Sequence, residues 1–237
     1  MRKFAWTVFA TLFLSLGLLG ADISYKDEVR TYNYTDFNRI EVASGMHITI
    51  TQSDSYSIEV KAGSSDFKRL RVKKSGSTLE FYMDNGWFHS FRGSDVYINV
   101  KMPKMTGVEL SGGSEARILK MEVPSETFKA DLSGGAILQG TLKCGNISME
   151  LSGGSRITLS GTGGDMKIDG SGGSKFMLKD FAAHNLNSDL SGGASAVVNL
   201  NGMINTSQSG GSHITYYGNA KPGKTHFSGG AGMEAGE

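Results

Sequence analysis

The chain has 237 residues with 24 Lys or Arg, 23 Asp or Glu and a single cysteine. This balance of charge excludes the basic surface of a nucleic-acid-binding protein, and one cysteine excludes an internal disulfide. Glycine contributes 33 residues and proline only 3, which argues against collagen and against disordered linkers. Stability must therefore come from packing and backbone pairing, and Cys144 is interpreted as a small buried hydrophobe.

The first 21 residues have the three parts of a secretory signal peptide. Arg2 and Lys3 precede an apolar run from Phe4 to Leu19, and small residues follow at 20–21. The run is interrupted by hydroxyl side chains and is shorter than the roughly 20 apolar residues that a transmembrane helix needs. We therefore expect removal of residues 1–21, no membrane span after cleavage, and export to the periplasm, the cell surface or the medium.

Residues 22–105 form an irregular part of the chain in which short alternating patterns predict strands. Turn signals such as Ser44-Gly45 separate them. Terminal units of repeat proteins usually differ from the inner ones, so we interpret this part as the cap of a solenoid. The predicted strands are Arg39–Val42, His47–Gln52, Ser57–Ala62, Arg69–Lys73, Thr78–Tyr82 and Val96–Lys101.

Three aromatic residues, Trp87, Phe88 and Phe91, lie between two turn signals of this region. Aromatic side chains on a turn call for an explanation, because exposed apolar area usually marks an interaction. They either fold over the end of the solenoid or fill a contact with a neighbouring subunit, since burial of aromatic area is favourable. The alternative is that they stack on a sugar ring.

A Ser-Gly-Gly triplet occurs seven times in residues 106–237. The spacings between successive copies are 22, 19, 19, 20, 18 and 19 residues. Self-similarity at such a period is the signature of a repeat architecture. The serines that open the triplets are Ser111, Ser133, Ser152, Ser171, Ser191, Ser209 and Ser228.

Apolar and polar residues alternate on both sides of each triplet, as in the columns that contain Leu132 and Leu151 upstream and Leu138 and Ile157 downstream. This alternation predicts half-buried strands. Two strands and two tight turns account for about 19 residues, so each repeat predicts one coil of a flattened solenoid. The predicted fold class is all-β, a β-solenoid with two main sheets whose coils are marked by Ser-Gly-Gly.

One outward position carries an acidic residue in five successive repeats. Coils stacked about 4.8 Å apart place these carboxylates in one row. One interpretation is a Ca²⁺ site, because Ca²⁺ binds several oxygen ligands. The other is a solvated face on which Lys129 and Lys167 relieve the repulsion. The five residues are Glu109, Asp131, Glu150, Asp169 and Asp189.

Three motifs occur in a fixed order before the repeated Leu-Ser-Gly-Gly: 36–42 (DFNRIEV), 47–52 (HITITQ) and 96–103 (VYINVKMP). On these residues the chain, from about Tyr32 to its end, resembles the head GIN domain family of putative autotransporter adhesins. The resemblance implies a right-handed β-helix that forms one unit over 22–237. It also implies exported proteins common in Bacteroidetes, with no catalytic residues and no cofactor.

These patterns favour a non-catalytic binding or structural protein, an adhesion module of the cell surface or envelope. Its expected partner is a glycan, an envelope component or another protein, and exposed strand edges also favour homo-oligomers. The alternative is a polysaccharide lyase or hydrolase, since β-helices carry such enzymes. The acids follow the repeat instead of converging on one point. Neither metal-ligand spacing nor a nucleophile motif accompanies the histidines His47, His89, His184, His213 and His226.

Overall fold

The computed structural model describes residues 27–84 and 95–237. Within them, two sheets face each other and form a β-solenoid of about 7 turns with a spacing of ~19 residues. The predicted all-β solenoid of two sheets is therefore confirmed. The signal peptide predicted at 1–21 lies outside the described residues and stays a prediction.

The described residues contain an 11-stranded sheet, sheet A, and a 10-stranded sheet, sheet B. One short helix, α1 (Ser64–Arg69), accompanies them. In spatial order, sheet A consists of β1 (Asp27–Tyr32), β4 (Ser57–Gly63), β7 (Tyr97–Met102), β3 (His47–Gln52), β9 (Glu115–Val123), β11 (Ile137–Cys144), β13 (Arg156–Thr162), β15 (Lys175–Ala183), β17 (Ser195–Leu200), β19 (His213–Gly218) and β21 (Gly232–Ala235). In the same sense, sheet B consists of β5 (Leu70–Ser75), β6 (Thr78–Met83), β2 (Arg39–Val42), β8 (Gly107–Leu110), β10 (Phe128–Leu132), β12 (Ile147–Leu151), β14 (Met166–Gly170), β16 (Leu186–Leu190), β18 (Met203–Gln208) and β20 (Lys221–Phe227).

Parallel pairing between equivalent strands places equivalent residues of successive coils side by side. Leu132 pairs with Leu151 in sheet B, and Ile157 pairs with Phe176 in sheet A. The predicted apolar columns therefore meet between the two sheets and form one continuous core. The buried members of these columns include Leu110, Leu132, Leu151, Leu190, Ala116, Leu138, Ile157, Phe176, Ala196 and Ile214.

The Ser-Gly-Gly turns connect sheet B to sheet A along one edge of the solenoid. Gly153, the first glycine of its triplet, has φ 67°, which L-residues with a side chain adopt at a cost. The backbone N–H of Gly154 donates to the carbonyl of Gly134 in the preceding coil at 2.7 Å. A Cβ on Gly153 would lie 2.8 Å from that same carbonyl oxygen. Close stacking of the coils thus requires glycine at the first of the two glycine positions in the triplet.

The amino-terminal end of the solenoid is closed by antiparallel strands. β4 pairs antiparallel with both β1 and β7, and β5 pairs antiparallel with β6. α1 connects the two sheets and buries its own Phe67, and the Arg30 guanidinium lies 4.1 Å from the ring centre of Phe67. Arg69 ends this helix, so the strand predicted at Arg69–Lys73 begins one residue later than expected, and β1 was not predicted.

The carboxyl-terminal end exposes the outer edges of β20 and β21, each of which pairs with one strand among the described residues. Phe227 on β20 is 40% exposed. β20 also carries Pro222 and the lysines Lys221 and Lys224, which disfavour pairing of an exposed edge with another strand. Across residues 27–84 and 95–237, no helix combines the length and apolarity that crossing a membrane requires.

Candidate functional site

The five carboxylates predicted to form a row do so on the outer face of sheet B. They occupy equivalent positions on β8, β10, β12, β14 and β16, and each pairs in register with the next. They line an open groove of about 620 Å³ together with the serines of the adjoining turns. The row that the repeat predicted is therefore present as Glu109, Asp131, Glu150, Asp169 and Asp189.

Two further acids, Glu41 and Glu80, extend this row beyond the repeats. Glu41 on β2 pairs in register with Glu109 on one side and with Glu80 of β6 on the other. Neither was predicted from the sequence, because no Ser-Gly-Gly triplet follows either residue at the spacing seen in the repeats. The alternation of Ile40, Glu41 and Val42 could have predicted that Glu41 lies on the outer face.

Cations from neighbouring outward positions relieve part of the repulsion along the acidic row. The Lys167 ammonium lies 2.7 Å from the Asp169 carboxylate, and the Lys73 ammonium lies 3.0 Å from Glu80. Lys167 was expected in this role. Lys129 was expected too, but it makes no ion pair within 4.0 Å with a described residue, and the Arg39 guanidinium reaches Asp131 at 3.9 Å instead.

The described part of the chain holds no group of three or more His, Cys, Asp or Glu side chains that could hold a metal ion. The carboxylates of the row follow one line along the sheet, whereas Ca²⁺ needs oxygen ligands that surround it. The calcium interpretation stays a prediction. Calorimetry with Ca²⁺ tests it: heat of binding and a raised melting temperature support it, and their joint absence contradicts it.

The environment of Glu41 raises the pKa of its carboxyl group above the ordinary value. Partial burial is the largest cause, followed by the nearby charges of Glu109 and Glu80, and Lys73 opposes them. A carboxyl group with a raised pKa in the folded state binds its proton more tightly there than in the unfolded chain. Ionisation of Glu41 therefore lowers the stability of the fold as the pH rises above the ordinary glutamate pKa.

Glu41→Gln is expected to raise the melting temperature at about pH 7 by about 1–2 °C, because the amide removes the ionisation cost at a partly exposed site. Differential scanning calorimetry of both proteins at about pH 7 and about pH 3.5 checks this, since both side chains are largely uncharged at the lower pH. The gain should shrink at the acidic pH. An equal gain at both pH values would mean that charge is not the cause.

A second candidate region lies on the outer face of sheet A, where an aromatic pair faces solvent. Tyr97 on β7 is 49% exposed, and its ring stacks on that of His47 on β3 with 5.2 Å between ring centres and 16° between planes. The His47 imidazole also lies 3.3 Å from the Glu115 carboxylate on β9. The three side chains are in-register neighbours on adjacent strands.

Polar side chains border this pair and complete an open pocket of about 420 Å³. Asn99, Thr49, Arg117 and Gln139 stand two residues further along β7, β3, β9 and β11, and form a second row beside the first. Sequence reasoning did not find this pocket. β7 comes after β3, β4 and two strands of sheet B in the chain, yet it lies between β4 and β3 in space.

The described histidines do not converge. His47, His184 and His213 lie 3.2–3.5 Å from the carboxylates of Glu115, Asp165 and Glu234, each on a different part of the solenoid. His226 lies on β20, at the carboxyl-terminal end of sheet B. Such separated pairs lack the convergence of nucleophile, base and charge stabiliser that a catalytic site needs. The remaining candidates, Trp87, Phe88, His89 and Phe91, lie outside the described residues, and their interpretations stay predictions.

Cys144 ends β11 with its side chain in the core, as expected for a small buried hydrophobe. The residue is 6% exposed, and burial raises the pKa of its thiol to about 11, although a backbone hydrogen bond with Phe128 opposes the rise. The thiolate, which is the reactive form, is therefore scarce near neutral pH.

We expect a thiol-reactive disulfide reagent at about pH 8 to label the folded protein at least about 100-fold more slowly than the urea-unfolded chain, because the thiol is both protonated and covered. Absorbance of the released thiolate measures both rates. Comparable rates would show that Cys144 is accessible in the native state.

Comparison with protein families identifies residues 36–220 with the family described as putative auto-transporter adhesin, head GIN domain. The chain belongs to this family. The expected resemblance is thus confirmed over most of the chain, and the matched residues include β2 to β19 with both candidate regions.

Solved structures with the same fold as this head GIN domain include proteins of Bacteroides and Parabacteroides. A putative adhesin of Bacteroides fragilis is 17% identical, with a TM-score of 0.76 over 90% of this chain and 97% of that one. A putative lipid binding protein of Parabacteroides distasonis is 17% identical, with a TM-score of 0.69 over 89% and 97%. A putative adhesin of Parabacteroides merdae is 16% identical, with a TM-score of 0.67 over 90% and 97%. At this sequence identity the similarity shows the fold. The comparison with curated proteins returned no match for this head GIN domain.

Proposed function

We propose that this protein is an exported, non-catalytic binding module of the cell envelope that holds a polymeric ligand along an outer sheet face. Membership in a family described as putative auto-transporter adhesin supports an adhesive role and export to the periplasm, the cell surface or the medium. The observation that carries the proposal is the regular placement of outward polar side chains. They repeat from strand to strand, as in the acidic row, and so match a ligand that itself repeats.

A surface ligand fits this solenoid better than one enclosed in its interior. The space between the sheets is filled by side chains such as Phe128, Phe176 and Phe181, all of which are fully buried. The candidate pockets are shallow and lie on the outer faces. A glycan, another envelope polymer or a protein surface can lie along such a face without any rearrangement of the core.

Sedimentation with fractionated envelope polymers tests the proposal. We expect the purified chain to pellet with at least one insoluble fraction, such as peptidoglycan or a surface polysaccharide, and to release no reducing ends or unsaturated sugar products from it. The exposed edge of β21 also favours homo-oligomers, and light scattering of the free protein checks this expectation. Release of sugar products would instead support the lyase or hydrolase alternative, and failure to pellet with every fraction would contradict the binding role.

A further inference from the structure

We propose that the pocket on sheet A around Tyr97, His47 and Arg117 binds a hexuronic acid unit of an acidic polysaccharide. This inference rests on the proposed binding function and names the chemical class of its ligand. It concerns a side of the molecule opposite to the acidic row.

The Tyr97 ring, held by stacking on His47, provides a platform for the apolar face of a sugar ring. Half of the Tyr97 residue is exposed, and since His47 stacks on one face of its ring, the other face and the ring edge offer the contact area. Aromatic rings contribute large contact area with little loss of side-chain freedom, and a pyranose presents C–H groups on its ring face. An exposed aromatic platform bordered by polar side chains therefore indicates a ligand with both apolar and hydroxylated surfaces.

The row beside the platform supplies the polar half of the recognition. Its side chains lie about 6.6 Å from the platform row, the distance of two residues along a strand, which suits the width of a sugar ring. Asn99, Thr49 and Gln139 offer amide and hydroxyl groups that donate to and accept from sugar hydroxyls. The pocket volume of about 420 Å³ is within the range of small-ligand sites.

Arg117 gives the pocket its preference for an acidic sugar. It lies on the outer face of β9, next to Thr49, and its guanidinium makes no ion pair within 4.0 Å with any described residue. A guanidinium binds a carboxylate through two parallel N–H donors, a geometry that the carboxylate of a hexuronic acid matches. The Glu115 carboxylate of the same pocket lies 3.3 Å from the His47 imidazole, so it faces the platform row and not the row of Arg117.

The charge distribution of the whole solenoid agrees with this assignment. The outer face of sheet B carries seven carboxylates in one row and would repel a polyanion, whereas the pocket with the Arg117 guanidinium lies on sheet A. An acidic polysaccharide would therefore approach the face that carries Tyr97. Arg156, two strands further along sheet A, is an exposed arginine outside the pocket and serves as the matched control.

Isothermal titration with digalacturonic acid and with its dimethyl ester tests the inference on the full chain. We expect the free acid to bind at least about tenfold more tightly than the ester, which lacks the two negative charges. Tyr97→Ala and Arg117→Gln should each weaken binding by about tenfold or more, while Tyr97→Phe and Arg156→Gln stay within about twofold. Melting temperatures close to that of the unchanged protein establish that each variant is folded.

Several results would overturn the inference. Equal affinity for the acid and the ester would show that Arg117 does not recognise the carboxylate. Equal losses of affinity in Arg117→Gln and Arg156→Gln would show diffuse charge attraction instead of a site. Absence of disaccharide binding by a chain that still pellets with an envelope polymer contradicts this pocket and leaves the proposed function standing. Absence of both disaccharide binding and polymer binding contradicts the pocket and the proposed function together.

Discussion

Phe176→Ala is expected to lower the free energy of unfolding by about 3–5 kcal/mol, the largest effect of any single change proposed for this protein. Phe176 is fully buried between the sheets, so its removal loses apolar burial and leaves a cavity. Urea denaturation followed by circular dichroism measures the change. The neighbouring Met177 faces outward and is 42% exposed, so Met177→Ala should stay within about 0.5 kcal/mol. Similar losses for the two variants would contradict the assignment of inner and outer faces.

The ring of Phe176 occupies the space that a side chain at position 170 would need. The position of Gly170 holds leucine in the two coils before it and in the coil after it, and a Cβ there would lie 2.8 Å from the Phe176 ring. Gly170→Leu should therefore destabilise the protein alone through overpacking, yet recover part of the loss when combined with Phe176→Ala. A double-mutant cycle measures this coupling. Strictly additive losses would show that the two sites do not share one volume.

Gly153→Ala is expected to lower the free energy of unfolding by about 2 kcal/mol or more, because a side chain at positive φ costs about 1–2 kcal/mol and its Cβ meets a backbone oxygen. That oxygen, of Gly134, lies 2.8 Å from the position of the new Cβ. Backbone atoms cannot move aside without disturbing the hydrogen bond that Gly154 donates to the same oxygen. The stacking of two coils would be weakened at this turn.

Gly154→Ala provides the control for this prediction, since it places the same methyl group one residue later in the same turn. The new Cβ would lie 3.6 Å from the Gly134 oxygen, an ordinary contact, and Gly154 does not have positive φ. We expect a change of less than about 0.5 kcal/mol, measured by the same urea denaturation. If both variants lost equal stability, the two glycines of the triplet would have the same role and the proposed turn requirement would be wrong.

The repeated coils could be predicted from sequence because their determinants are local. Each triplet marks a turn, and the alternating residues on both sides, such as Leu132 and Leu138, identify which side chains point inward. Register follows from the constant spacing, since parallel pairing of equivalent positions brings Asp131 beside Glu150. The position of the acidic row could therefore be predicted, whereas the sequence did not decide whether the row binds a cation.

The amino-terminal part could be predicted only as a set of strands, because their order in space depends on pairing between distant residues. No local pattern places Tyr97 beside His47. The chain forms β5 and β6 of sheet B before β7, which then inserts between β4 and β3 in sheet A. The pocket on sheet A depends on this insertion. α1 is one short helix whose only buried residue is Phe67, too little periodicity for a sequence pattern to reveal.

If this chain holds an envelope polymer without changing it, light scattering of the polymer should reveal both the binding and the unchanged length of the polymer. A solubilised preparation of the polymer that binds the protein is measured alone, in complex, and again after the protein has been removed. We expect a larger particle in the mixture and recovery of the polymer at its original mass. A shortened polymer would identify an enzyme, and the absence of any larger particle would contradict the binding role.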